Sequence, residues 1–460
     1  MQSFLYALFE YISLINETVG GLILVLALGG TGIFFTLKTR FVQVRCFRQG
    51  LCSLFGKSES RHGITPFQAL CTSLASQLGT GNIVGACSAV VVGGAGSVFW
   101  MWVFAFFGMA SAYAEGVLAV KTRKRNKDGS FSGGPVYIIK QAFGKKTGKV
   151  LSLFFAFFGV VLFGFAGNMV QANAVSKTFY DAFCIDTRIT GFILLCLSCA
   201  VMLLGADGIV KFAEKTVPVM SFLFVLGCAT LLFVYRSYIP KCLELVMKSA
   251  FSPQPVLGAV TGYSVRNALF YGAKRGLFSN EAGMGTSSHA YALVKEDVSP
   301  HSQGTSAMMC VFFDTMLMMT LTAFSVITVS LCAENGDISS FTSTNMTLFA
   351  FGKVFGENAG NALVSVCLLF FGFTSIVGWS MYGRMNFEYL FGRKYKTLYY
   401  VSVLFFVYLG SISTNSFVWN LADLFSLMLV LPNVLSLVAL HKTVAYESRR
   451  LDKQKENVYN

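Results

Sequence analysis

The chain has 460 residues, of which 54% are hydrophobic and only 13% are charged. Soluble domains carry about 25% charged residues, and 46 Phe residues are far more than a disordered chain contains. This composition excludes a soluble globular enzyme, a disordered protein and a disulfide-rich secreted domain. It is typical of a protein that crosses a membrane several times.

Long apolar stretches, separated by Gly, Pro and clusters of charge, occur eleven times along the chain. The predicted spans are 19–37, 66–92, 97–120, 149–175, 190–205, 216–235, 257–292, 304–332, 360–386, 397–411 and 416–440. Before them, the apolar residues of 1–15 fall on one face of a helix. We therefore expect 1–18 to be an interfacial segment. Glu10 and the lack of a positive n-region indicate that it is not a signal peptide.

Most of the 36 Lys and Arg residues fall in the loops on one side of these spans and in the tail 441–460. Cytoplasmic loops are the ones enriched in Lys and Arg. The bias therefore predicts an N-terminus outside and a C-terminus inside the cell. The net charge of +14 is then explained by this orientation, because the basic residues lie near the anionic lipid headgroups of the cytoplasmic face. No nucleic-acid partner is expected.

The cysteines are scattered through apolar stretches without the spacing of a disulfide framework. They are typical of small buried side chains in a reducing compartment. Cys196 and Cys199 form a CxxC pair inside an apolar helix, with no second pair and no nearby His. A metal site is therefore not expected there.

A polar, glycine-rich stretch interrupts the second predicted span at 73–85. Gly79, Gly81 and Asn82 tolerate backbone conformations that end a helix. Non-helical backbone at membrane depth occurs where it lines a cavity or is buried in protein. We expect two half-helices, the second aiming N–H groups at a carboxylate and the first aiming carbonyls at a small cation. The alternative is a continuous helix packed through a GxxxG face.

The second interruption lies in the seventh predicted span, where Arg275, Glu281 and His289 stand among three glycines. Charge at membrane depth is costly and indicates a functional site. The alternative is an internal polar network near the cytoplasmic mouth. We expect that alternative to hold in part for Arg275 and His289.

Each interrupted span opens a set of five spans, 66–236 and 257–440, after the leading span 19–37. Because five is odd, the second set runs in the opposite direction through the membrane. This predicts a 5 + 5 inverted repeat, in which corresponding broken helices form the binding site of a secondary transporter. An uncoupled channel or facilitator is a rival class. A membrane enzyme is not expected, because the four His are not spaced as ligands and GxSxG and HExxH are absent.

Short motifs in fixed order run through the chain: TPFQALC at 65–71, GTGNI at 79–83, FWMW at 99–102, YAE at 113–115, GGP at 133–135, GNMVQAN at 167–173, RGLFSNEAG at 275–283, FDT at 313–315, GWSMYG at 378–383 and LPN at 431–433. Through them the sequence resembles the alanine or glycine:cation symporter family over almost its whole length. The resemblance implies an all-α, leucine-transporter-like fold with alternating access. It also implies Na⁺- or H⁺-driven uptake of alanine or glycine, with no organic cofactor.

The resemblance implies a substrate site made by Gly79, Thr80, Gly81, Asn82, Gln171, Phe278 and Trp379. The backbone of the first break would meet the substrate carboxylate, and Gln171 offers both a donor and an acceptor. The two large rings would leave room only for a small side chain. The alternatives are that Gln171, with Asn168 and Asn173, only ties helices together, and that the rings are ordinary core residues.

The family's fold also implies a Na⁺ site with hard oxygen ligands. These would be the carbonyls of Ala75, Leu78 and Phe371 and the hydroxyls of Thr374 and Ser375. The alternative is that both hydroxyls bond to their own helix. Since none of these ligands is charged, one Na⁺ entering with a zwitterion would make uptake electrogenic.

Three acidic residues remain. We expect Glu115 and Asp314 at the cytoplasmic gate and Asp423 in the outer half of its span. Each is expected to pair with a basic residue or a helix end rather than to carry a proton. Proton coupling and amino-acid exchange stay open as alternatives to Na⁺ symport. The protein is expected in the inner (plasma) membrane of a cell, and the sequence leaves its oligomeric state open.

Overall fold

The computed structural model describes Glu10, Asn16 and residues 20–56, 63–127, 129–251, 265–333 and 341–459. Apart from Glu10 and Asn16, the predicted interfacial segment 1–18 lies outside the described residues. The described chain is mainly helical, and one short antiparallel pair joins strands β1 (Lys124–Arg125) and β2 (Phe131–Ser132).

The helices of the first half are α1 (Gly21–Lys38), α2 (Val42–Arg45), α3 (Phe47–Leu54), α4 (Pro66–Gln77), α5 (Gly81–Gly93), α6 (Ser97–Thr122), α7 (Pro135–Phe143), α8 (Thr147–Phe183), α9 (Thr187–Met202) and α10 (Gly205–Val234). Those of the second half are α11 (Ile239–Phe251), α12 (Val265–Asn280), α13 (Ser288–Tyr291), α14 (Pro300–Ala333), α15 (Asn345–Phe355), α16 (Glu357–Phe391), α17 (Arg393–Ile412), α18 (Asn415–Ala439) and α19 (His441–Tyr459).

Among the described residues, eight helices are long and apolar enough to cross a membrane, and α4 with α5 forms a further span bent by 59°. The shorter helices α9 and α12 fall in the remaining two predicted spans. Each predicted span thus corresponds to a helix or a broken helix. The repeat boundaries 66–236 and 257–440 stay a prediction.

The structure corrects several of the predicted boundaries. Helix α10 begins at Gly205 rather than at 216. The prediction missed its first turns because Lys211, Glu214 and Lys215 make that part of the sequence less apolar. Helices α11 and α15 were not predicted at all. Helix α11 buries one face through Cys242, Val246 and Ala250 and exposes the other, so its sequence does not read as a span.

Helix α4 begins and ends where its local sequence dictates. Thr65 and Gln68 form a reciprocal capping box, and Pro66 occupies the first turn, where no intrahelical partner is needed for its nitrogen. The helix ends after Gln77, and the chain turns through Leu78 and Gly79 before α5 starts. The predicted break in the second span is therefore present in the structure.

The seventh predicted span is also broken, between α12 and the short helix α13. Glu281 adopts a left-handed φ of 55°, and Gly283 and Gly285 follow with φ of 90° and 85°. A glycine takes such angles without strain, whereas Glu281 does so at a cost of about 1 kcal/mol or more. The segment 281–287 is thus non-helical, and its residues are buried inside the protein.

Two openings lie on opposite sides of the broken helices. An inner cavity of about 1100 Å³ is lined by loops predicted to face the cytoplasm, and its lining includes Gln68, Lys211, His289 and Arg384. A narrower outer crevice of about 180 Å³ lies between α12 and α18, and its lining includes Lys274, Arg275, Trp419 and Asp423.

Candidate functional site

The two breaks are held together by side chains from the end of α4. Gln77 Nε2 donates to the carbonyl oxygen of Asn280 at 2.9 Å and to Ser287 Oγ at 2.8 Å. Ser73 Oγ donates to the same Ser287 hydroxyl at 2.7 Å. Because these groups are buried, the bonds fix the first break against the second.

Asp314 of α14 joins the same two breaks from the other side. Its Oδ1 accepts from Asn82 Nδ2 at 2.7 Å and from Ser279 Oγ at 3.1 Å. Its Oδ2 accepts from Thr315 Oγ1 at 2.7 Å, and all four residues are buried. The expectation that Asp314 lies at the cytoplasmic gate is therefore wrong. The carboxylate lies between the start of α5 and the end of α12.

Gly79 lies at the centre of the first break, against two other predicted site residues. A Cβ added to Gly79 would lie 2.6 Å from Ser375 Oγ and 2.7 Å from Gln171 Oε1. Gln171 Oε1 also accepts from the backbone N–H of Thr80 at 2.9 Å. The structure thus brings together four predicted residues, which come from α4–α5, α8 and α16.

Gln171 differs from its two amide neighbours in what it contacts. Asn168 Nδ2 donates to Ser380 Oγ of α16 at 3.1 Å as well as to carbonyls of its own helix, and Asn173 Nδ2 donates to the carbonyls of Gly410 and Ser413. These two residues tie helices together, which was the alternative considered for all three. Gln171 instead bonds the non-helical backbone of the break.

Of the five predicted cation ligands, Ser375 and Ala75 are in direct contact. Ser375 Oγ donates to the carbonyl oxygen of Ala75 at 3.1 Å, so α16 touches the last turn of α4. Thr374 Oγ1 instead donates to Phe370 O at 2.8 Å and lies 3.1 Å from Phe371 O. The Thr374 hydroxyl therefore bonds to its own helix, and Leu78 is buried at the break.

Trp379 and Phe278, the two predicted pocket rings, belong to a longer series of contacts, the aromatic row. Its members, in order from the outer crevice, are Trp419, Phe278, Trp379 and Phe163. Successive ring centroids are 5.1, 6.4 and 5.9 Å apart. Phe163 in turn meets His289, which lines the inner cavity. The row therefore runs from the outer crevice towards the inner cavity.

Glu115 braces the second break. Its Oε1 accepts from the backbone N–H of Gly285 at 2.9 Å and from Asn433 Nδ2 at 2.8 Å. Asn433 Nδ2 also donates to the carbonyl of Gly283. The carboxylate thereby ties α6 and α18 to the non-helical segment, so its partners are not the basic residue or helix end that was expected.

The outer crevice holds an ion pair and a stacked cation. Lys274 Nζ lies 2.7 Å from Asp423 Oδ2, and the two side chains are only 9% and 6% exposed. The Arg275 guanidinium lies 4.3 Å from the ring centroid of Trp419. Asp423 thus pairs with a base, as predicted. Arg275, which was expected near the cytoplasmic mouth, lies at the opposite opening.

We expect Asp423→Asn to destabilise the closed outer crevice by about 3 to 5 kcal/mol, because it leaves a buried ammonium without its counter-charge. A lower melting temperature of the purified protein in detergent is the measurement. The paired variant Lys274→Met with Asp423→Leu removes both charges and should recover most of the lost stability. A melting temperature for Asp423→Asn equal to that of the wild type would contradict the assigned ion pair.

Arg123, just after α6, holds the loop that follows α13 beside the inner cavity. Its guanidinium donates to the carbonyls of Ala292, Val294 and Lys295. Burial lowers the pKa of its guanidinium, while the neighbouring Glu296 acts in the opposite direction. His289 lines the inner cavity, as expected, and lies 3.0 Å from Asn386 Nδ2.

The sequence of this chain matches the pattern of the sodium:alanine symporter family over residues 5–460. The chain belongs to this family. The symporter is therefore a multi-pass membrane protein, located in the plasma membrane in bacteria, that transports an amino acid with sodium. It belongs to a family of transporters and not of enzymes.

Curated relatives cover nearly the whole symporter. The sodium/alanine symporter AgcS of Methanococcus maripaludis is 36% identical over 455 residues, which cover 97% of this chain and 99% of that protein. The probable sodium/glutamine symporter GlnT of Bacillus subtilis is 32% identical over 448 residues, covering 97% and 91% of the two chains. The names of these two relatives give different substrates, alanine for the first and glutamine for the second.

Among solved structures, the crystal structure of MhsT in complex with L-phenylalanine matches the symporter with a TM-score of 0.60 and 15% sequence identity. The match covers 86% of this chain and 97% of that chain. At this identity it shows the fold alone, and the predicted leucine-transporter-like fold is confirmed.

Sequence reasoning gave Asp314 and Glu281 of the symporter no role in the site. The available signal was an acidic residue in the middle of a 34-residue apolar helix for Asp314, and a charge beside two glycines for Glu281. Charge at such depth is a functional signal. The partners of Asp314 and Glu281 lie on other helices, and the sequence does not show which residues they are.

Proposed function

We propose that the protein imports alanine or glycine, including D-alanine, together with Na⁺ by alternating access between the outer crevice and the inner cavity. The observation that carries the proposal is that the two broken helices meet through Gln77 and Gly81, on either side of Gly79, which itself lies beside Gln171 and Ser375. Broken helices that meet inside a transporter form its binding site.

The substrate carboxylate would bind at the start of α5. The first N–H groups of a helix have no partner inside it and favour an anion. The N–H of Thr80 is already bonded to Gln171 Oε1 and that of Asn82 to the carbonyl of Gly79, so Gly81 is a remaining backbone donor at the start of α5. Gln171 holds the break in shape and keeps its amide nitrogen for the substrate.

The substrate side chain would face the indole of Trp379 and the ring of Phe278. A Cβ added to Gly167 would lie 1.5 Å from the Trp379 ring, so the indole is already pressed against the backbone of α8. A large side chain would have to displace that ring. This supports hydrogen or methyl as the substrate side chain.

Na⁺ is a second substrate, and the residues near the first break fit it. Ala75 O and Ser375 Oγ are buried, uncharged and hard, as Na⁺ ligands should be. Leu78 and Phe371 would add carbonyls, and Thr374 would add a lone pair of its hydroxyl oxygen, whose hydrogen is donated within its own helix. One positive charge would then cross with each zwitterion, which is worth about 2.3 kcal/mol per 100 mV.

Uptake by purified protein in liposomes tests the proposal. With Na⁺ outside and K⁺ inside, labelled alanine should accumulate above its external concentration, and valinomycin, which makes the interior negative, should increase the uptake. With choline outside, accumulation should be lost. Uptake that equilibrates without a gradient and does not saturate would support a channel, and uptake that requires unlabelled alanine inside would support an exchanger.

Proton coupling is the second candidate, because Asp314 places a buried carboxylate beside both breaks. The putative sodium/proton-dependent alanine carrier protein YrbD of Bacillus subtilis is 31% identical to this chain. Accumulation driven by an acid-outside gradient in the absence of Na⁺, and lost in Asp314→Asn, would select this candidate.

Gly81→Leu tests the assigned pocket. A Cβ at Gly81 would meet Ser279 only at 3.6 Å, so Gly81→Ala should fold normally and serves as the control. Leucine would fill the space next to the break and should abolish uptake while leaving expression unchanged. Normal uptake by Gly81→Leu would contradict the substrate site.

A further inference from the structure

Glu281 is a buried carboxylate to which the proposed transport cycle gives no role. It follows the last residue of α12, is 2% exposed, and has a left-handed φ of 55°. Its Oε1 accepts a hydrogen bond from the indole Nε1 of Trp379 at 2.8 Å. A strained backbone and a buried charge are both costly, so the side chain is expected to serve a purpose at this position.

The indole of Trp379 is restricted on several sides. Gly167 leaves no space between the ring and α8, and the rings of Phe163 and Phe278 approach it at 5.9 and 6.4 Å. Apolar packing of this kind restricts where the ring lies. It offers no partner to the N–H, which is the only polar group of the indole.

The bond to Glu281 satisfies that donor. A flipped indole would direct its N–H away from the carboxyl group, and leaving a buried donor without a partner is costly. The second break thereby fixes the orientation of a ring on α16, only one turn from Ser375.

We propose that Glu281 is a positioning residue that orients the Trp379 indole and through it sets the upper size limit of the transported side chain. This inference rests on the proposed function, in which Trp379 forms a wall of the substrate pocket. Glu281 acts through the indole N–H and does not bind the substrate ammonium itself.

The indole N–H gives a direct readout that does not depend on transport. In ¹⁵N-labelled protein, the Trp379 indole signal is identified by its loss in Trp379→Phe. Glu281→Gln keeps an acceptor oxygen and should retain the bonded indole shift. Glu281→Met has a similar size and is unbranched, so the backbone strain is matched. It removes the acceptor and should move the signal to the position of an unbonded indole. An unchanged signal in Glu281→Met would overturn the proposal.

Transport selectivity is the second readout, measured as competition of valine against labelled alanine in liposomes. Glu281→Met should increase inhibition by valine roughly tenfold relative to the wild type, since one or two methyl groups in a pocket are worth about that factor. Glu281→Gln should stay within about twofold of the wild type. Trp379→Phe lacks the N–H, so adding Glu281→Met to it should change selectivity no further.

The outcomes separate this inference from the proposed function. A Glu281→Met effect of full size in the Trp379→Phe background would show that Glu281 does not act through the indole and would overturn the inference. Loss of alanine binding in Glu281→Gln would indicate a direct contact with the substrate and would overturn it as well. A wild-type protein that transports no alanine would defeat the proposed function, while the indole signal would still report on the Glu281–Trp379 bond.

Discussion

Gly79→Ala is expected to reduce sodium-driven alanine uptake by at least about tenfold while the protein still folds and inserts. The new methyl group would lie 2.6 Å from Ser375 Oγ and 2.7 Å from Gln171 Oε1, well inside van der Waals contact. Both atoms end side chains that can move, so the fold should survive. Their displacement would remove the bond from Thr80 N–H to Gln171 and the contact between Ser375 and Ala75.

Gly85→Ala is the matched control, because Gly85 lies in α5, the half-helix that follows Gly79, and its added Cβ would meet nothing within 4 Å. It should transport normally and gain a few tenths of a kcal/mol to about 1 kcal/mol of stability, as Ala favours helix over Gly. Uptake of labelled alanine into liposomes, normalised to inserted protein, measures both variants. Equal losses in the two would mean that the helix, and not the site at Gly79, is sensitive to the added methyl group.

Ser375→Ala is expected to raise the Na⁺ concentration needed for half-maximal uptake by roughly tenfold, which corresponds to about 1.4 kcal/mol. The substitution removes the hydroxyl that touches Ala75 O and adds nothing that could clash. Maximal uptake at saturating Na⁺ should change little, since the substrate contacts at the start of α5 remain. The measurement is the initial rate of alanine uptake over a series of Na⁺ concentrations.

Thr374→Val is the comparison, because it removes a hydroxyl from the next residue while keeping the side-chain shape. The Thr374 hydroxyl donates to carbonyls of its own helix and lies near Met220 Sδ, whereas Ser375 Oγ contacts the carbonyl of Ala75 on α4. The shift in Na⁺ dependence should therefore be smaller than for Ser375→Ala. A larger shift would mean that Thr374 is the principal hydroxyl ligand and that the side chains rearrange when Na⁺ binds.

The spans and their breaks could be predicted because they are encoded locally. Twenty apolar residues are visible as a stretch, and glycines beside Asn82 or Glu281 interrupt it at a defined position. Helices α11 and α15 escaped prediction because each is amphipathic and lies between spans. A stretch that is apolar on one face only does not stand out from a loop.

The placement of Arg275 and Asp314 could not be predicted, and the reason is geometric. Arg275 lies on α12 and Asp314 on α14, and their numbers in the chain give neither their depth nor the face they occupy. Asp314 is 14 residues beyond the start of α14, about 21 Å along a helix, which places it beside the breaks and not at the mouth. Its bond to Asn82 joins residues 232 positions apart in the chain.

The aromatic row has an electrical consequence for the transport cycle. Its four rings lie between a wide polar cavity and a narrow crevice, and water in the wide cavity would carry the potential of that compartment deep into the protein. The voltage across the membrane would then fall mostly along the row, whose successive ring centroids are 5.1, 6.4 and 5.9 Å apart. A cation that moves past these rings would sense most of the field, so membrane voltage would act on that movement more than on entry from either side.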